Sequence, residues 1–450
     1  MVDVAESATA DDAPEGYRMT ELGVLPENWG VAHLADVAEF SKKERGADIT
    51  GSIPFIPMTL LPESGLYVDN WEDRTREEVR SGVYFRDGDL LLAKITPCLE
   101  NGKQGIARGI PGGWGYATTE VYPIHGTAVL TEYLAYYLRH QPVRNHLVDR
   151  MEGSTGRQRL PKSVVENLPI PLPPLPEQRA IAHVLSTVQR AREATEAVIV
   201  ATRELKRSLM RHLFTYGPVP VDRVAGVRLK ETEIGLMPEG WEIRPLESII
   251  KFGPQNGLYK HQDFYGRGTG IVRVDEFGDQ GDVITSSAKL VELTAAELST
   301  YSLRQGDLLV NRVNGSLEFL GKTAISGHMT APLVFESNMM RLTLDTTTAL
   351  PEYVLAYLVS SVGRLQIQNR AKRGNQFSIN QGSLGSVLIP LIGAEEQIAI
   401  ARQLDAITAK LRSEEDWMRA VSAFQQALQS LLLRGKLRTT GIQGQADVVT

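Results

Sequence analysis

The stretch PIPLPPLPEQRAIAHVL at residues 169–185 places a proline-rich segment directly before a Glu-Gln pair and an apolar run. A near-copy, LIPLIGAEEQIAIARQL, occupies residues 388–404, 219 positions later. In the first copy, Pro176 suits the first position of a helix, and Glu177 is favourable in a first turn. Both stretches are therefore predicted to begin a helix, and their recurrence indicates a duplication.

The helices predicted from these starts are long. The first continues from Pro176 to about Phe214 and the second from about Ala394 to Leu433, with no internal proline or glycine. Apolar or small residues recur along both at alternating three- and four-residue spacing, which is typical of a coiled-coil seam. The seam positions predicted in the first helix are Ile181, Val184, Val188, Ala191, Thr195, Val198, Thr202, Leu205 and Leu209. Those in the second are Ile400, Leu404, Ile407, Leu411, Met418, Val421, Leu428 and Leu432.

We expect the two helices to pair as an antiparallel coiled coil, with similar globular halves at opposite ends and related by a pseudo-two-fold axis. The alternative is that each helix lies on the surface of its own domain. Their length disfavours this alternative, because globular helices rarely exceed about 20 residues. The residues predicted for helix pairing or partner docking are Glu177, Gln178, Ile181, Leu185, Val188, Glu396, Gln397, Ile400, Leu404 and Ile407.

Four further pairs of segments keep the same order and nearly the same offset. They are TELGVLPENW (20–29) with TEIGLMPEGW (232–241), DGDLLLA (87–93) with QGDLLVN (305–311), EYLAYYL (132–138) with EYVLAYL (352–358), and GRQRL (156–160) with GNQFS (374–378). The chain is thus a tandem duplication of a unit of about 215 residues. Buried strands behind Gly-Asp turns, and helices without regular β-α alternation, favour an α+β class for each half.

The predicted division of the 450 residues follows from this duplication. It comprises a disordered acidic tail at 1–17, a first globular domain at 18–172, a central long helix at 173–216, a linker at 217–230, a second globular domain at 231–391, a C-terminal long helix at 392–437 and a tail at 438–450.

The net charge of −6 argues at first against a nucleic-acid partner. Residues 1–17, however, carry five acidic residues and no Lys or Arg, and this composition predicts disorder. Without those acids the net charge is near −1. A near-neutral fold can still bind DNA if its charges are segregated, so local basic patches decide the question.

The remaining composition predicts a cytoplasmic protein. The single cysteine, Cys98, excludes an intramolecular disulfide and a Cys-cluster zinc site, and it suits a reducing compartment. No apolar run approaches the roughly 18 residues that would indicate a membrane span. A basic N-terminal region followed by an apolar core is absent, so a secretory signal is not indicated.

Two basic segments lie at corresponding positions of the duplication. Residues 353–394 contain no acidic residue but four cations, and residues 139–162 contain six cations against two acids. Because Arg reads guanine, Asn and Gln read adenine, and Lys or Arg neutralise phosphate, the mixture of cations and amides favours base-reading loops over a merely solvated basic face. The candidate DNA-binding residues in these segments are Arg150, Arg157, Gln158, Arg159, Lys162, Arg370, Lys372, Arg373, Asn375 and Gln376.

A second recurring loop follows each Gly-Asp strand, LAKITPCLENGKQGIA at 92–107 and VNRVNGSLEFLGKTAI at 310–325. The second copy approaches a nucleotide-binding loop, but Gly315 to Gly321 encloses five residues where that motif requires four. A phosphate-contacting hairpin and a structural hairpin remain the alternatives. The candidate DNA-binding residues in these loops are Lys94, Lys103, Arg312 and Lys322.

Motifs for catalysis are missing from the sequence. It contains no Gly-x-Ser-x-Gly, no His-Glu-x-x-His and no Asn-Pro-Pro-aromatic segment of the adenine methyltransferase kind. The eight histidines show no metal-ligand spacing. We therefore predict no catalytic residue, no metal site and no cofactor for this chain.

The motifs together resemble a known family. LPIPLPPLPEQRAIAHVL before a long helix, the strands GDLLLAKI and GDLLVNRV with a following Gly-Lys, and LPENW and MPEGW at the heads of the halves look like the DNA specificity subunit of type I restriction-modification enzymes. The resemblance covers essentially residues 18–435. The second helix start lacks most of the proline leader, so its domain is expected to be held less rigidly.

The resemblance implies that each globular half is a target recognition domain that reads one half of a split double-stranded DNA sequence. It implies that the paired helices set the gap between the half-sites and dock two methyltransferase subunits, with restriction/translocase subunits added outside, in a system of phage defence. S-adenosylmethionine, ATP and Mg²⁺ are then expected on the partner subunits only. The basic loops of the two halves differ, which predicts an asymmetric target.

Two other functions compete with this interpretation. A fused methyltransferase or nucleotide-driven enzyme is disfavoured by the missing catalytic motifs. A coiled-coil adaptor with two peptide-binding ends would explain the duplication and the helices, but it would not require two basic loops that carry amides at the same repeat position.

Overall fold

The structure is a computed structural model, and it describes residues 13–42, 51–79, 81–154, 156–278, 280–286 and 288–439. The predicted tails at 1–17 and 438–450 lie outside the described residues except for 13–17 and 438–439. The chain divides into two compact units: unit 1 comprises residues 1–196 and 417–450, and unit 2 comprises residues 197–416.

Unit 1 contains a five-stranded sheet in the order β4-β12-β9-β10-β6 and a four-stranded sheet in the order β7-β5-β11-β8, with two two-stranded ladders, β1-β2 and β13-β3. Its strands are β1 Tyr17–Thr20, β2 Gly23–Pro26, β3 Gly30–His33, β4 Ala38–Phe40, β5 Ile53–Ile56, β6 Tyr67–Val68, β7 Glu72–Arg74, β8 Val83–Arg86, β9 Leu90–Ala93, β10 Gln104–Ala107, β11 Trp114–Ala117, β12 Val121–Gly126 and β13 Pro169–Leu172. Its shorter helices are α1 Leu34–Val37, α2 Thr131–Arg139, α3 Gln141–Val148 and α4 Lys162–Glu166. The long helix α5, Leu175–Tyr216, continues from unit 1 into the residues of unit 2.

Unit 2 repeats this plan with a four-stranded sheet in the order β17-β24-β20-β22 and a three-stranded sheet in the order β19-β18-β23. Its strands are β14 Leu229–Thr232, β15 Gly235–Pro238, β16 Glu242–Pro245, β17 Ile250–Asn256, β18 Tyr265–Val272, β19 Lys289–Val291, β20 Leu308–Asn311, β21 Val313–Asn314, β22 Thr323–Ile325, β23 Leu333–Phe335, β24 Met339–Leu344, β25 Lys372–Arg373, β26 Phe377–Ser378 and β27 Leu388–Leu391. Its shorter helices are α6 Ala295–Tyr301, α7 Pro351–Val359, α8 Ser361–Asn369 and α9 Gln381–Gly385. The second long helix, α10, spans Ala394–Leu433.

The predicted Gly-Asp strands are confirmed as β9 and β20, and both lie inside their sheets with all four residues buried. In each strand the Leu-Leu pair faces opposite sides of the sheet, because side chains alternate along a strand. Leu90 and Leu308 enter the core beneath the helices, while Leu91 and Leu309 enter a second core on the other face. The α+β class and the tandem duplication are thereby confirmed.

In each unit a helical segment consists of two consecutive helices, α2 and α3 in unit 1 and α7 and α8 in unit 2. In unit 1, α2 ends at Arg139 and α3 begins at Gln141. Pro142 lies in the first turn of α3, where its missing N–H costs no hydrogen bond. In unit 2 the break falls at Ser360, whose hydroxyl accepts from the Gly363 N–H at 3.2 Å and caps α8.

Both globular modules are closed at their ends by a short antiparallel ladder. In unit 1, β3 pairs with β13, which joins Gly30 to Leu172. In unit 2, β16 pairs with β27, which joins Glu242 to Leu391. The start and the end of each globular module are therefore adjacent, directly before the long helix begins.

The long helices pair antiparallel within each unit. In unit 1, Gln425 Nε2 donates to Gln189 Oε1 at 2.7 Å, and in unit 2, Arg203 forms an ion pair with Glu415 at 2.7 Å. Within unit 1, Glu177 near the start of α5 also bonds to Arg438, beyond the end of α10, while the later Gln189 bonds to the earlier Gln425, as an antiparallel arrangement requires. The seam of α10 runs as predicted through buried Leu404, Leu411, Val421, Leu428 and Leu432.

The seam predicted for α5 is wrong at alternate positions. Thr195 is buried as predicted, but Val198 and Leu205 are 42% and 60% exposed, whereas Gln189 and Ile199, which were not predicted, are buried. Successive residues of a helix point about 100° apart. A set of apolar residues at three- and four-residue spacing can therefore lie on a face next to the one that forms the seam. The seam of α5 is consequently more polar than its apolar residues suggested.

The start of α5 is held by a buried carboxylate. Glu177 accepts a hydrogen bond from Trp29 Nε1 at 2.9 Å and two from the Arg438 guanidinium at 2.8 and 3.1 Å. In the second copy, Glu396 accepts only from Trp241 Nε1 at 3.4 Å among the residues described. The first helix start therefore has an ion pair that the second lacks.

The glutamine beside each of these carboxylates makes the same contacts in both units. Gln178 Oε1 accepts from the Leu130 N–H, and Gln397 Oε1 accepts from the Leu350 N–H, both at 2.8 Å. Each amide group also donates to a carbonyl in the leader, at Pro173 and at Ile392. The Glu-Gln pair thus joins each long helix to its own module.

Over the described ranges, no helix combines the length and the apolar character needed to cross a membrane.

Candidate nucleic-acid interface

The basic segment at 139–162 and the recurring loop at 92–107, which were predicted separately from the sequence, come together in unit 1. The Leu160 N–H donates to the Lys94 carbonyl at 2.8 Å, and the Thr96 N–H donates to the Gln158 carbonyl at 3.1 Å. The loop that follows β9 therefore forms a ladder with the basic loop at residues 152–160. We call these two segments the unit 1 loop pair.

The same junction occurs in unit 2. The Ile379 N–H donates to the Arg312 carbonyl at 2.9 Å, which corresponds to the bond between Leu160 and Lys94. Here the junction is extended into a small sheet in the order β21-β26-β25, with Arg373 opposite Phe377. We call this sheet, with the turn at residues 374–376, the unit 2 loop pair.

Several predicted cations in unit 1 are held by neighbours on or near the loop pair. Arg159 donates to both carboxylate oxygens of Glu120, at 3.0 and 2.8 Å. Lys94 places Nζ 4.7 Å from the centre of the Tyr122 ring. Lys162 forms an ion pair with Glu166 at 2.6 Å, and Arg150 donates to the His146 carbonyl at 3.1 Å.

The electrostatics of this cluster follow from those contacts. The Arg159 guanidinium holds the pKa of the Glu120 carboxyl below its usual value, while the hydrogen bond to Glu120 raises the pKa of Arg159. Burial lowers the pKa of Lys94. Gln158 is half-buried, and Arg157 is exposed and makes no side-chain hydrogen bond or ion pair within the described residues. Arg157 is thus available to a ligand.

In unit 2 the predicted cations and amides lie mainly on the exposed turn. Lys372, Arg373, Asn375 and Gln376 are all exposed on β25 and the turn that follows it. The Arg373 guanidinium lies 5.9 Å from the centre of the Phe377 ring. Arg312 is half-buried and donates to the Ser337 carbonyl at 3.2 Å. These side chains therefore all lie on the segments that form the unit 2 loop pair.

Three of the predicted residues have a structural role in the fold. Lys103 Nζ donates to the Met58 carbonyl at 3.1 Å, and the equivalent Lys322 Nζ donates to the Phe277 carbonyl at 2.9 Å. Arg370 donates to the Gln366 carbonyl at 3.0 Å and to Ser386. In each Gly-Lys loop the lysine thus bonds to a backbone carbonyl of its own unit, and DNA contact by these three residues stays a prediction.

The sequence reasoning missed two aromatic residues at these junctions. Tyr122 OH donates to the Leu160 carbonyl at 2.8 Å and lies under Lys94. Tyr259 is 78% exposed and follows Leu258, whose carbonyl accepts from the Ser337 N–H. Since Ser337 also accepts from Arg312, Tyr259 belongs to the same edge of unit 2. A tyrosine directly before Lys260 and His261 was the available sequence signal.

Within the described part of the chain, no group of three or more His, Cys, Asp or Glu residues could hold a metal ion. The arrangement on each unit offers cations, amides and an aromatic ring on a short ladder. Such side chains can neutralise phosphate and bond to base edges.

In comparisons with known sequences, the family model and the relatives described below all concern type I restriction specificity domains or subunits. The sequence model of the type I restriction modification DNA specificity domain matches residues 26–200. The EcoEI type I restriction enzyme specificity subunit of Escherichia coli is 36% identical over 166 residues, which are 36% of this chain and 28% of that protein. The MjaVIII specificity subunit of Methanocaldococcus jannaschii is 23% identical over 432 residues, covering 93% of this chain and 95% of that protein.

One solved structure shares the fold over nearly the whole length. The type I restriction-modification S subunit from M. genitalium aligns with a TM-score of 0.57 at 14% identity, covering 90% of this chain and 96% of that one. At this identity the likeness concerns the fold alone, and it includes both units.

Proposed function

We propose that this chain, which belongs to the family of DNA specificity subunits of type I restriction-modification enzymes, recognises a two-part double-stranded DNA sequence. The observation that carries the proposal is the recurrence of the loop pair. Each unit presents cations and amides at the same junction of the duplicated fold, but with different side chains. Different side chains at equivalent positions would read different bases, so the two half-sites would differ.

The most exposed side chains of each loop pair would make the first contacts. Arg157 in unit 1 and Arg373, Asn375 and Gln376 in unit 2 are free to reach a groove or a phosphate. The cations held by carboxylates, such as Arg159, would first have to leave their partners. We therefore assign base or phosphate contact to the exposed turn residues and a positioning role to Arg159 and Arg312.

Catalysis would belong to other subunits of the complex. The chain would act as the DNA-reading subunit for two methyltransferase subunits, which would dock on the paired helices, and restriction/translocase subunits would join outside them. S-adenosylmethionine, ATP and Mg²⁺ would bind on those partners.

Charge variants test the DNA contacts directly. We expect Arg157→Gln and Arg373→Gln each to weaken duplex binding by the complex of this chain with methyltransferase subunits. If each arginine contacts one phosphate, the slope of log K against log salt should fall by about 1 in each variant. The measurement is a duplex titration by fluorescence anisotropy at several salt concentrations.

The matched control is Arg228→Gln. The Arg228 side chain is 86% exposed and lies 3.5 Å from Glu239, away from both loop pairs in the sequence and in the sheet order. It should leave the affinity and the slope unchanged. The proposal fails if the affinity of the unmodified complex is independent of duplex sequence or does not fall as salt is raised.

The spacing role of the helices is tested by lengthening them in register. One heptad would be inserted between Glu196 and Ala197 and another between Asp416 and Trp417, at the boundaries between the units. Seven residues add about 10 Å to a helix, which corresponds to about three base pairs. We expect both half-sites to persist with a longer gap, read out by sequencing of methylated sites. An unchanged gap would contradict the role.

A further inference from the structure

Unit 1 contains a polar cavity of about 270 Å³ beside its paired helices. Its wall combines residues at the junction of α2 and α3 with residues of α5 and α10. Three arginines contribute to it, namely Arg139, Arg144 and Arg192. The amide side chains of Gln189, Gln425 and Gln429 line the same space.

None of the three arginines forms an ion pair within the described residues. Arg139 donates to the carbonyls of Ser64, Gly65 and Gln104 at 2.8 to 2.9 Å, all of which are neutral groups. Arg144 donates to the Gln141 side chain. The Nε atoms of Arg139 and Arg192 are buried and have no hydrogen-bond partner among the residues that the structure describes.

Two carboxylates lie nearby, but neither pairs with these cations. Glu63 lines the cavity, and Glu193 accepts a hydrogen bond from Gln189 Nε2 at 2.7 Å. Of these two carboxylates only Glu63 lines the cavity, together with the three guanidinium groups. A buried cation without a counter-ion is costly, so an anion in this space would be stabilised. Burial, together with the charges of Arg192 and Arg144, lowers the pKa of Arg139 to about 10.

Unit 2 has a cavity at the equivalent place, of about 430 Å³, in which two cations bond to neighbouring side chains and one of them forms an ion pair. Lys206, which corresponds to Gln425 in the duplication, donates to Gln280 Oε1 at 2.8 Å. Arg412 forms an ion pair with Asp282 at 3.1 Å. Val359 stands where unit 1 has Arg139. The pair of Arg139 and Arg192 is therefore particular to unit 1, because Val359 and Leu411 stand at the equivalent positions of unit 2.

We propose that the unit 1 cavity binds a phosphate group through Arg192, Arg144 and the Nε–H of Arg139. Guanidinium groups donate in a planar fork that matches an oxyanion. The volume exceeds that of one phosphate, which leaves room for an attached group or for water. The phosphate is either a free anion or part of a nucleic-acid backbone, and the site is independent of base reading by the loop pairs.

The test compares the thermal unfolding of the full chain in chloride and in inorganic phosphate at equal ionic strength. Phosphate should raise the Tm of the unmodified chain by about 2 to 4 °C. Arg192→Gln should abolish this rise, and Arg144→Gln should reduce it, since the Arg144 side chain bonds to Gln141 alone among the described residues. Arg179→Gln, an exposed position on the same helix, should respond like the unmodified chain.

A second arm replaces phosphate by a short duplex of random sequence. If the duplex raises the Tm and Arg192→Gln abolishes that rise, the phosphate belongs to the DNA backbone. If only inorganic phosphate acts, the ligand is a free anion. The proposal is overturned if neither raises the Tm of the unmodified chain, or if Arg192→Gln and Arg144→Gln both retain the full rise. Loss of sequence-specific DNA binding in loop variants would leave this result unaffected.

Discussion

Exchanging residues 231–391 for the equivalent module of another family member is expected to replace one half of the recognised DNA sequence and leave the other half unchanged. The ladder of β16 with β27 holds the two ends of this module together, from Glu242 opposite Leu391 to Pro245 opposite Leu388. A module whose ends are adjacent can be replaced without rerouting the chain.

The contact between module and helix also favours the exchange. Gln397 bonds to the backbone N–H of Leu350 and to the carbonyls of Thr348 and Ile392. Gln178 makes the equivalent bonds to Leu130 and Pro173 in unit 1. Because the bonds to Leu350, Thr348 and Leu130 use backbone groups of the modules, they do not depend on the side chains of the modules. A donor module with the same turn should therefore dock on the same glutamine.

The measurement is sequencing of methylated DNA from cells that carry the complex with the original or the exchanged chain. The reciprocal exchange of residues 18–172 is the matched control, and it should alter the other half-site. A change in both half-sites after one exchange, or in neither, would show that the units do not read DNA separately.

Glu177→Gln is expected to destabilise unit 1 by about 3 kcal/mol, because it leaves the Arg438 guanidinium without its counter-ion. Glu177 is 5% exposed, and its two oxygens accept three hydrogen bonds from Trp29 and Arg438. The amide replacement keeps the shape but turns one acceptor into a donor that faces other donors.

Glu396→Gln is the matched variant in unit 2. Its bond to Trp241 is long, at 3.4 Å, and no arginine pairs with it among the described residues. We expect it to cost less than about 1 kcal/mol, in the range of a single neutral hydrogen bond. Equal losses in the two variants would refute the asymmetry inferred from the ion pair.

The readout must separate the two units, because their unfolding need not be a single transition. Hydrogen-exchange mass spectrometry of the full chain meets this need. Peptides from residues 17–33 should exchange faster in Glu177→Gln, while peptides from residues 232–245 should not change. The reverse pattern, at smaller amplitude, is expected for Glu396→Gln.

The large-scale organisation could be predicted from the sequence because it rests on local patterns. The recurring Glu-Gln helix starts, the Gly-Asp strands at Leu90 and Leu308, and the ends of α10 were all confirmed. The resemblance to type I specificity subunits, identified from those motifs, was confirmed by the family match. Turn chemistry and hydrophobic spacing are encoded over a few residues, so one sequence suffices to find them.

The candidate site could be predicted only in part. The basic loops were found from charge and repetition, but composition does not show that Arg159 is held by Glu120 or that Lys103 bonds to Met58. Each of those partners lies tens of residues away. A predicted cation is therefore a candidate for binding until its neighbours are known.

The sequence alone determined the duplication, the two long helices and the class of each half, since repetition and periodicity are properties of the linear chain. Only the tertiary structure decided which face of α5 forms the seam, because Gln189 is buried by its bond to Gln425. It also decided that the ion pair of Glu177 with Arg438 holds the first helix start, across 261 positions of sequence. Contacts between distant residues depend on how the whole chain packs, and no local pattern records them.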